Sequence, residues 1–163
     1  IPAILDNGVS PMAISAGMVI FGLLGNLSKI IVGLLAERMS IQLLVVLTMI
    51  GTAASLVILM YAGSVSMSFA YFVLAGFTRP TTFPLAALVW ADYFGRKHLG
   101  SIQGAIQPPL LLAQAGGPLL VGILYDWLGG YRVAFSVIIG MYLLAALARM
   151  FAPPPKLPEG VNQ

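Results

Sequence analysis

Residues 41–62 read IQLLVVLTMIGTAASLVILMYA, a run with no charge, no proline and a single amide, Gln42, near its start. A helix that crosses a hydrocarbon core of about 30 Å needs roughly 20 apolar residues. A core helix of a water-soluble protein is apolar along one stripe only, whereas this run is apolar around most of its circumference. It is a membrane-spanning helix.

Working outward, breaks at Gly, Pro and charge divide the rest of the chain on the same scale. Upstream, a span over about 11–36 stops at Glu37-Arg38, and residues 1–6 read as the tail of a further helix closed by Asp6-Asn7-Gly8. Downstream, spans are expected over about 67–93, 101–125 and 132–151, separated by Gly95-Arg96-Lys97-His98 and by Asp126 to Gly130. Pro153-Pro154-Pro155 cannot continue a helix, so residues 153–163 form a tail. No strand pattern and no linker appear. The expected fold is all-α: one polytopic transmembrane bundle over 1–152, lying in the bilayer. The apolar beginning at Ile1, inside what reads as a helix end, suggests that more of the same chain precedes it.

Composition agrees. Sixty per cent of residues are hydrophobic (60%) and 8% are charged, with a mean hydropathy of +0.99, against about 25% charged residues in a soluble domain. Eight basic residues, scattered along the chain, are too few for a nucleic-acid surface. With no cysteine and the single histidine His98, no thiolate or histidine-cluster metal site can form, and no cofactor is expected.

Charge also sets orientation. The turns after the first and third spans and the C-terminus share one side, which holds Arg38, Arg96, Lys97, Arg149 and Lys156, while the other side has only Arg132 beside Asp6 and Asp126. Basic residues favour the cytoplasm. The C-terminus is therefore expected to be cytoplasmic, in a cell (inner) membrane.

Two basic residues lie within spans. Lys29 is about 8 Å from the middle of the first span, on the cytoplasmic side, at 1.5 Å per residue, and Arg79 falls near the centre of the third. A charge at such depth costs from about 2.5 kcal/mol upward and marks a functional site by default. Gly22, Gly25, Asn26, Lys29 and Gly33 follow three-and-four spacing, a single helical face, and small residues there permit close helix approach. In the fourth span Gln103, Gln107 and Gln114 fall within about 40° of one another. Pro80 and Pro84, and Pro108, Pro109 and Pro118, are expected to interrupt their spans, as in the moving or binding helices of transporters.

The second and fifth spans differ. Their middles carry only Thr48, Thr52, Ser55 and Ser136, hydroxyls that can bond their own backbone. The first, third and fourth spans are thus expected to line something polar while the second and fifth face lipid. Structural readings stand beside this one. Lys29 could pair with a carboxylate elsewhere, Arg79 could cap carbonyls freed by Pro84, and the glutamines could join helices at about 1 kcal/mol or less each.

Gly33-Leu34-Leu35-Ala36-Glu37-Arg38 resembles the G-x-L-x-D-R turn of the major facilitator superfamily, with Glu37 in place of the usual Asp. Tyr93 to Gly100, followed by Gly104, resembles the loop between that family's tenth and eleventh helices. Gly116-Gly117-Pro118 with Gly122, and the stretch from Tyr125-Asp126 to Tyr131-Arg132, resemble the end and exit of the eleventh. The resemblance implies helices eight to twelve of a twelve-helix fold, its C-terminal half, with helices nine and twelve peripheral and an N-terminal half of the same chain as partner. It is nearest in look to the monocarboxylate and oxalate/formate type, in which a basic residue four positions before a glycine, as Lys29 stands before Gly33, helps hold the substrate carboxylate. The acidic residue that monocarboxylate carriers often place one turn earlier is here Gly25, so proton coupling through this helix is not implied.

These readings converge on secondary transport of a small solute by alternating access. Two cations and three amides favour an organic anion such as a monocarboxylate, bound by Lys29, Arg79, Gln107, Gln114 and Asn26. A non-transporting sensor or assembly subunit of carrier descent is the alternative. A membrane-embedded enzyme would need a nucleophile, base or metal ligands at one depth, and the sequence gathers none.

Overall fold

A computed structural model of the chain describes residues 9–94, 99–128 and 131–151. The helix end expected over 1–6, the basic loop 95–98 and the tail 153–163 lie outside them. Among the described residues six helices follow in order: α1 (Pro11–Ala36), α2 (Ile41–Met60), α3 (Val65–Thr78), α4 (Thr82–Phe94), α5 (Leu99–Leu128) and α6 (Tyr131–Phe151). Since α3 and α4 together make one crossing, five spans are long and apolar enough to traverse a membrane among the described residues.

Three helices begin in the same way. The Ser10, Ser40 and Ser64 hydroxyls accept from the backbone N–H of Ala13, Leu43 and Met67 at 3.3, 3.4 and 3.3 Å, and each serine is in extended conformation. A cap of this kind satisfies one of the amide donors that a helix start leaves open. Pro11 follows its cap at the first helical position, where a missing N–H takes no bond from the ladder.

The third crossing breaks where the prolines predict. Arg79 closes α3 through its N–H to the Ala75 carbonyl (2.9 Å), and Leu85 N–H to Thr81 O (3.1 Å) opens α4. Pro80, which cannot donate, lies between. Pro84 falls in the first turn of α4, where helix amides have no acceptor within the helix in any case. The expectation for the fourth span is corrected: α5 runs unbroken from Leu99 to Leu128 with Pro108, Pro109 and Pro118 inside it. Each of these prolines removes one bond from the ladder without ending it.

Two layers result. In the first, α1 packs on α3 and α5 on α4; in the second, α2 and α6 pack most extensively on each other, with α2 behind α3 and α4 and α6 behind α5. The α2–α6 pair is antiparallel. At one end Gln42 Nε2 donates to the Arg149 carbonyl at 2.8 Å. At the other the Arg132 guanidinium carbon is 5.5 Å from the Tyr61 ring centroid.

Close approach rests on glycine. A β-carbon on Gly76 of α3 would come within 2.9 Å of the Phe21 Cα of α1, and one on Gly17 would overlap the Phe72 ring. One apolar cluster, including Ile14, Leu59 and Phe72, fills one end of the bundle, and a second, of Val32, Leu44 and Leu85, fills the other. Between them lie buried Ser28, Thr52, Ser55, Thr78 and Thr81. Every one of these hydroxyls donates to a carbonyl three or four residues back on its own chain. Thr48 and Ser136 do the same, as the sequence led us to expect for the second and fifth spans.

Candidate functional site

On α1, Gly22, Asn26, Lys29 and Gly33 form an exposed face. A β-carbon on Gly22 or Gly33 would meet nothing within 4 Å, so the face is open. Asn26 Nδ2 donates to the Gly22 carbonyl at 3.1 Å, which leaves its oxygen and second N–H for another partner. Lys29 is one turn further on, and no ion pair involves it among the described residues. Gly25 leaves this face: it is buried, and a β-carbon there would stand 2.8 Å from Pro80 Cγ. The expected stripe is therefore two features, a polar ridge turned outward and a glycine seat for the helix break.

Arg79 points elsewhere. At 100° per residue its direction from α3 lies close to those of Ser68, Phe72 and Ala75, all buried. Its Nε is buried without a hydrogen-bond partner, and its guanidinium carbon sits 6.0 Å from the Tyr71 ring centroid, within the range of a cation–π contact. Among the described residues no hydrogen bond joins its side chain to a proline-freed carbonyl. It lies against the inner face of the layer rather than on the ridge that carries Lys29.

Gln107 and Gln114 are exposed on α5, and Gln103 is half-buried. No hydrogen bond or ion pair joins any two of Asn26, Lys29, Arg79, Gln107 and Gln114 among the described residues. The layer thus presents polar groups on both flanks, α1 and α5, with the broken helix between.

A partly open space lies elsewhere, between the broken third crossing and the two spans that the sequence reading turned toward lipid. A cavity of about 250 Å³ separates α2, α4 and α6, lined among others by Val45, Thr52, Leu85, Trp90, Tyr142 and Arg149. Sequence reasoning passed over these residues because no single helix marks them. The one available signal was Arg149, the second of two arginines that stand at opposite ends of an apolar α6.

A multi-pass α-helical bundle that opens a lysine and several amides from its first layer, around a helix broken midway along its crossing, has the form of an integral membrane carrier. The chain matches the Major Facilitator Superfamily over residues 1–163 and belongs to that family. Its members are transporters of small solutes across membranes, not enzymes. No curated protein and no solved structure matches the chain.

Proposed function

We propose that the protein is a secondary active transporter of a small organic anion, such as a monocarboxylate, working by alternating access. The observation that carries the reading is Lys29: a cation at membrane depth, on an open face, beside an amide with free valences and with no ion pair among the described residues. A charge so placed is costly, and an anionic solute would offset that cost in the loaded state. Lys29 and Asn26 hold the carboxylate, while Gln107 and Gln114 fix its orientation from the opposite flank. Arg79 adds positive potential from inside the layer without touching the solute.

Alternating access rocks two bundles about a site near the midplane. The exposed ridges of α1 and α5 suit a second bundle of the same chain across the pathway, so the full site is shared between halves. The turn at Glu37-Arg38 and the end of α6 face the cytoplasm in this reading, which the basic residues support.

Uptake by the full-length protein in proteoliposomes tests it. The solutes are labelled short carboxylates with neutral and cationic controls, with and without an imposed pH gradient. Selective carboxylate uptake supports the proposal, and uptake of neutral or cationic solutes alone discards the anion and the residues assigned to it. Response to the gradient distinguishes proton coupling from exchange.

A further inference from the structure

The cavity between α2, α4 and α6 has no part in the transport reading, and its chemistry is graded along the membrane normal. At 1.5 Å per residue, Val45 to Thr52 on α2 and Thr82 to Trp90 on α4 give the slot walls about 10–12 Å long. The walls are apolar in effect, because the Thr48 and Thr52 hydroxyls are committed to the carbonyls of Val45 and Thr48, each at 2.8 Å. Its deep end, at Thr52 and Thr82, lies beside the helix break. Its shallow end carries Trp90 and Arg149, and Arg149 is in the last turn of α6. That end is at the membrane surface, since the Arg149 carbonyl accepts from Gln42 in the first turn of α2 (2.8 Å). The α1–α2 turn, which leads into that first turn of α2, carries exposed Arg38 with Glu37 beside it.

An apolar slot that runs inward from a basic rim has the polarity profile of a lipid standing in its leaflet. We infer that the slot takes one acyl chain of an anionic glycerophospholipid, whose phosphate pairs with Arg149. Basic groups between helices at a membrane surface recognise such headgroups, and an arginine suits phosphate by geometry as well as charge. An interfacial tryptophan beside the headgroup fits the preference of that ring for the polar boundary. The occupant wedges α4 against α2 and α6 just below Pro80, so lipid composition acts on the broken crossing from behind.

The test titrates the full-length protein, purified in mild detergent, with dipalmitoyl phosphatidylglycerol and with dipalmitoyl phosphatidylcholine, counting retained lipid by native mass spectrometry. The wild type is expected to hold one phosphatidylglycerol under conditions that strip phosphatidylcholine. Arg149→Gln should weaken that retention about fivefold, Arg149→Lys, which keeps the charge but not the fork geometry, should recover only part of that loss, and Ala86→Leu, which fills the slot wall, should abolish it. Thermal unfolding of each variant establishes that it is folded. Equal retention of the two lipids overturns the inference, as does phosphatidylglycerol binding that Arg149→Gln and Ala86→Leu both leave unchanged. Should Arg149→Gln not fold, Ala86→Leu and the phosphatidylcholine comparison decide alone.

Discussion

Lys29 and Arg79 are both cations within the apolar span of the chain, and their surroundings assign them different work. Lys29 is exposed beside Asn26, whose amide donates backward along α1 and keeps its oxygen available. Arg79 has a buried Nε without a partner and a tyrosine ring as neighbour. A hydrogen bond to a charged group is worth about 1.5–3 kcal/mol, so Lys29→Ala should lower kcat/KM for carboxylate uptake by about 10- to 100-fold. Lys29→Arg should recover part of that loss; a Lys29→Ala protein with wild-type uptake and affinity would remove the residue from the site. Arg79→Met should behave in the opposite sense, since replacing a poorly satisfied buried charge by an apolar side chain of similar length is often neutral or stabilising. Its melting temperature is expected to match or exceed that of the wild type, with a smaller loss of uptake than Lys29→Ala. That both cations stand within long apolar segments was legible in the sequence, because it follows from counting residues between breaks. The direction of Arg79 was not, because it depends on which neighbours α3 buries.

Helix limits were readable at this second scale wherever local chemistry sets them. Serine caps at Ser10 and Ser40 and the charged stop at Glu37-Arg38 fix α1 and the start of α2 within the chain itself. The break at Arg79-Pro80-Thr81 was readable for the same reason. What proline does inside α5 was not, because a lost donor ends a helix only where its surroundings offer the freed carbonyls nothing better. The slot between α2, α4 and α6 was equally hidden, being a space left by three separate helices. Two substitutions test the packing argument. Gly76→Leu would drive side-chain atoms into the Phe21 backbone, 2.9 Å from the β-carbon position. Backbone cannot turn aside as a side chain can, so a loss of about 1–3 kcal/mol is expected, read as a lowered melting temperature in detergent. The same change at Gly22, which meets nothing within 4 Å, should leave melting unchanged. Pro80→Ala restores a donor at the break and favours a continuous crossing. Slower uptake with unchanged solute affinity is expected, and an unaltered rate would mean that the break does not move in the cycle.

For the whole molecule the two-layer arrangement makes a claim that no single helix can. Exposed positions on α2, such as Leu43, Leu47, Ile50 and Val57, are apolar and recur at helical spacing, so this second-layer helix turns an oily stripe outward. The exposed positions of α1 and α5 mix Asn26, Lys29, Gln107 and Gln114 with small and apolar residues. If the first layer borders an aqueous pathway and the second borders lipid, the two surfaces differ in water access although both are open in the isolated bundle. The chain contains no cysteine, so positions in it can be labelled one at a time, in a full-length background whose remaining cysteines have been removed. In intact membranes Asn26→Cys, Gln107→Cys and Gln114→Cys should react with a charged, membrane-impermeant maleimide, because the thiolate that attacks forms readily only where water reaches it. Leu47→Cys and Leu144→Cys, exposed on the second layer, should resist the same reagent and accept a lipid-soluble one. A saturating carboxylate substrate should slow labelling at Asn26→Cys and Gln114→Cys together, since the proposed site spans both flanks of the layer. Labelling of Leu47→Cys at the rate of Gln114→Cys would mean that the polarity of α1 and α5 serves helix packing instead. Protection at one flank alone would confine the solute to that flank and leave the other to the opening and closing of the pathway.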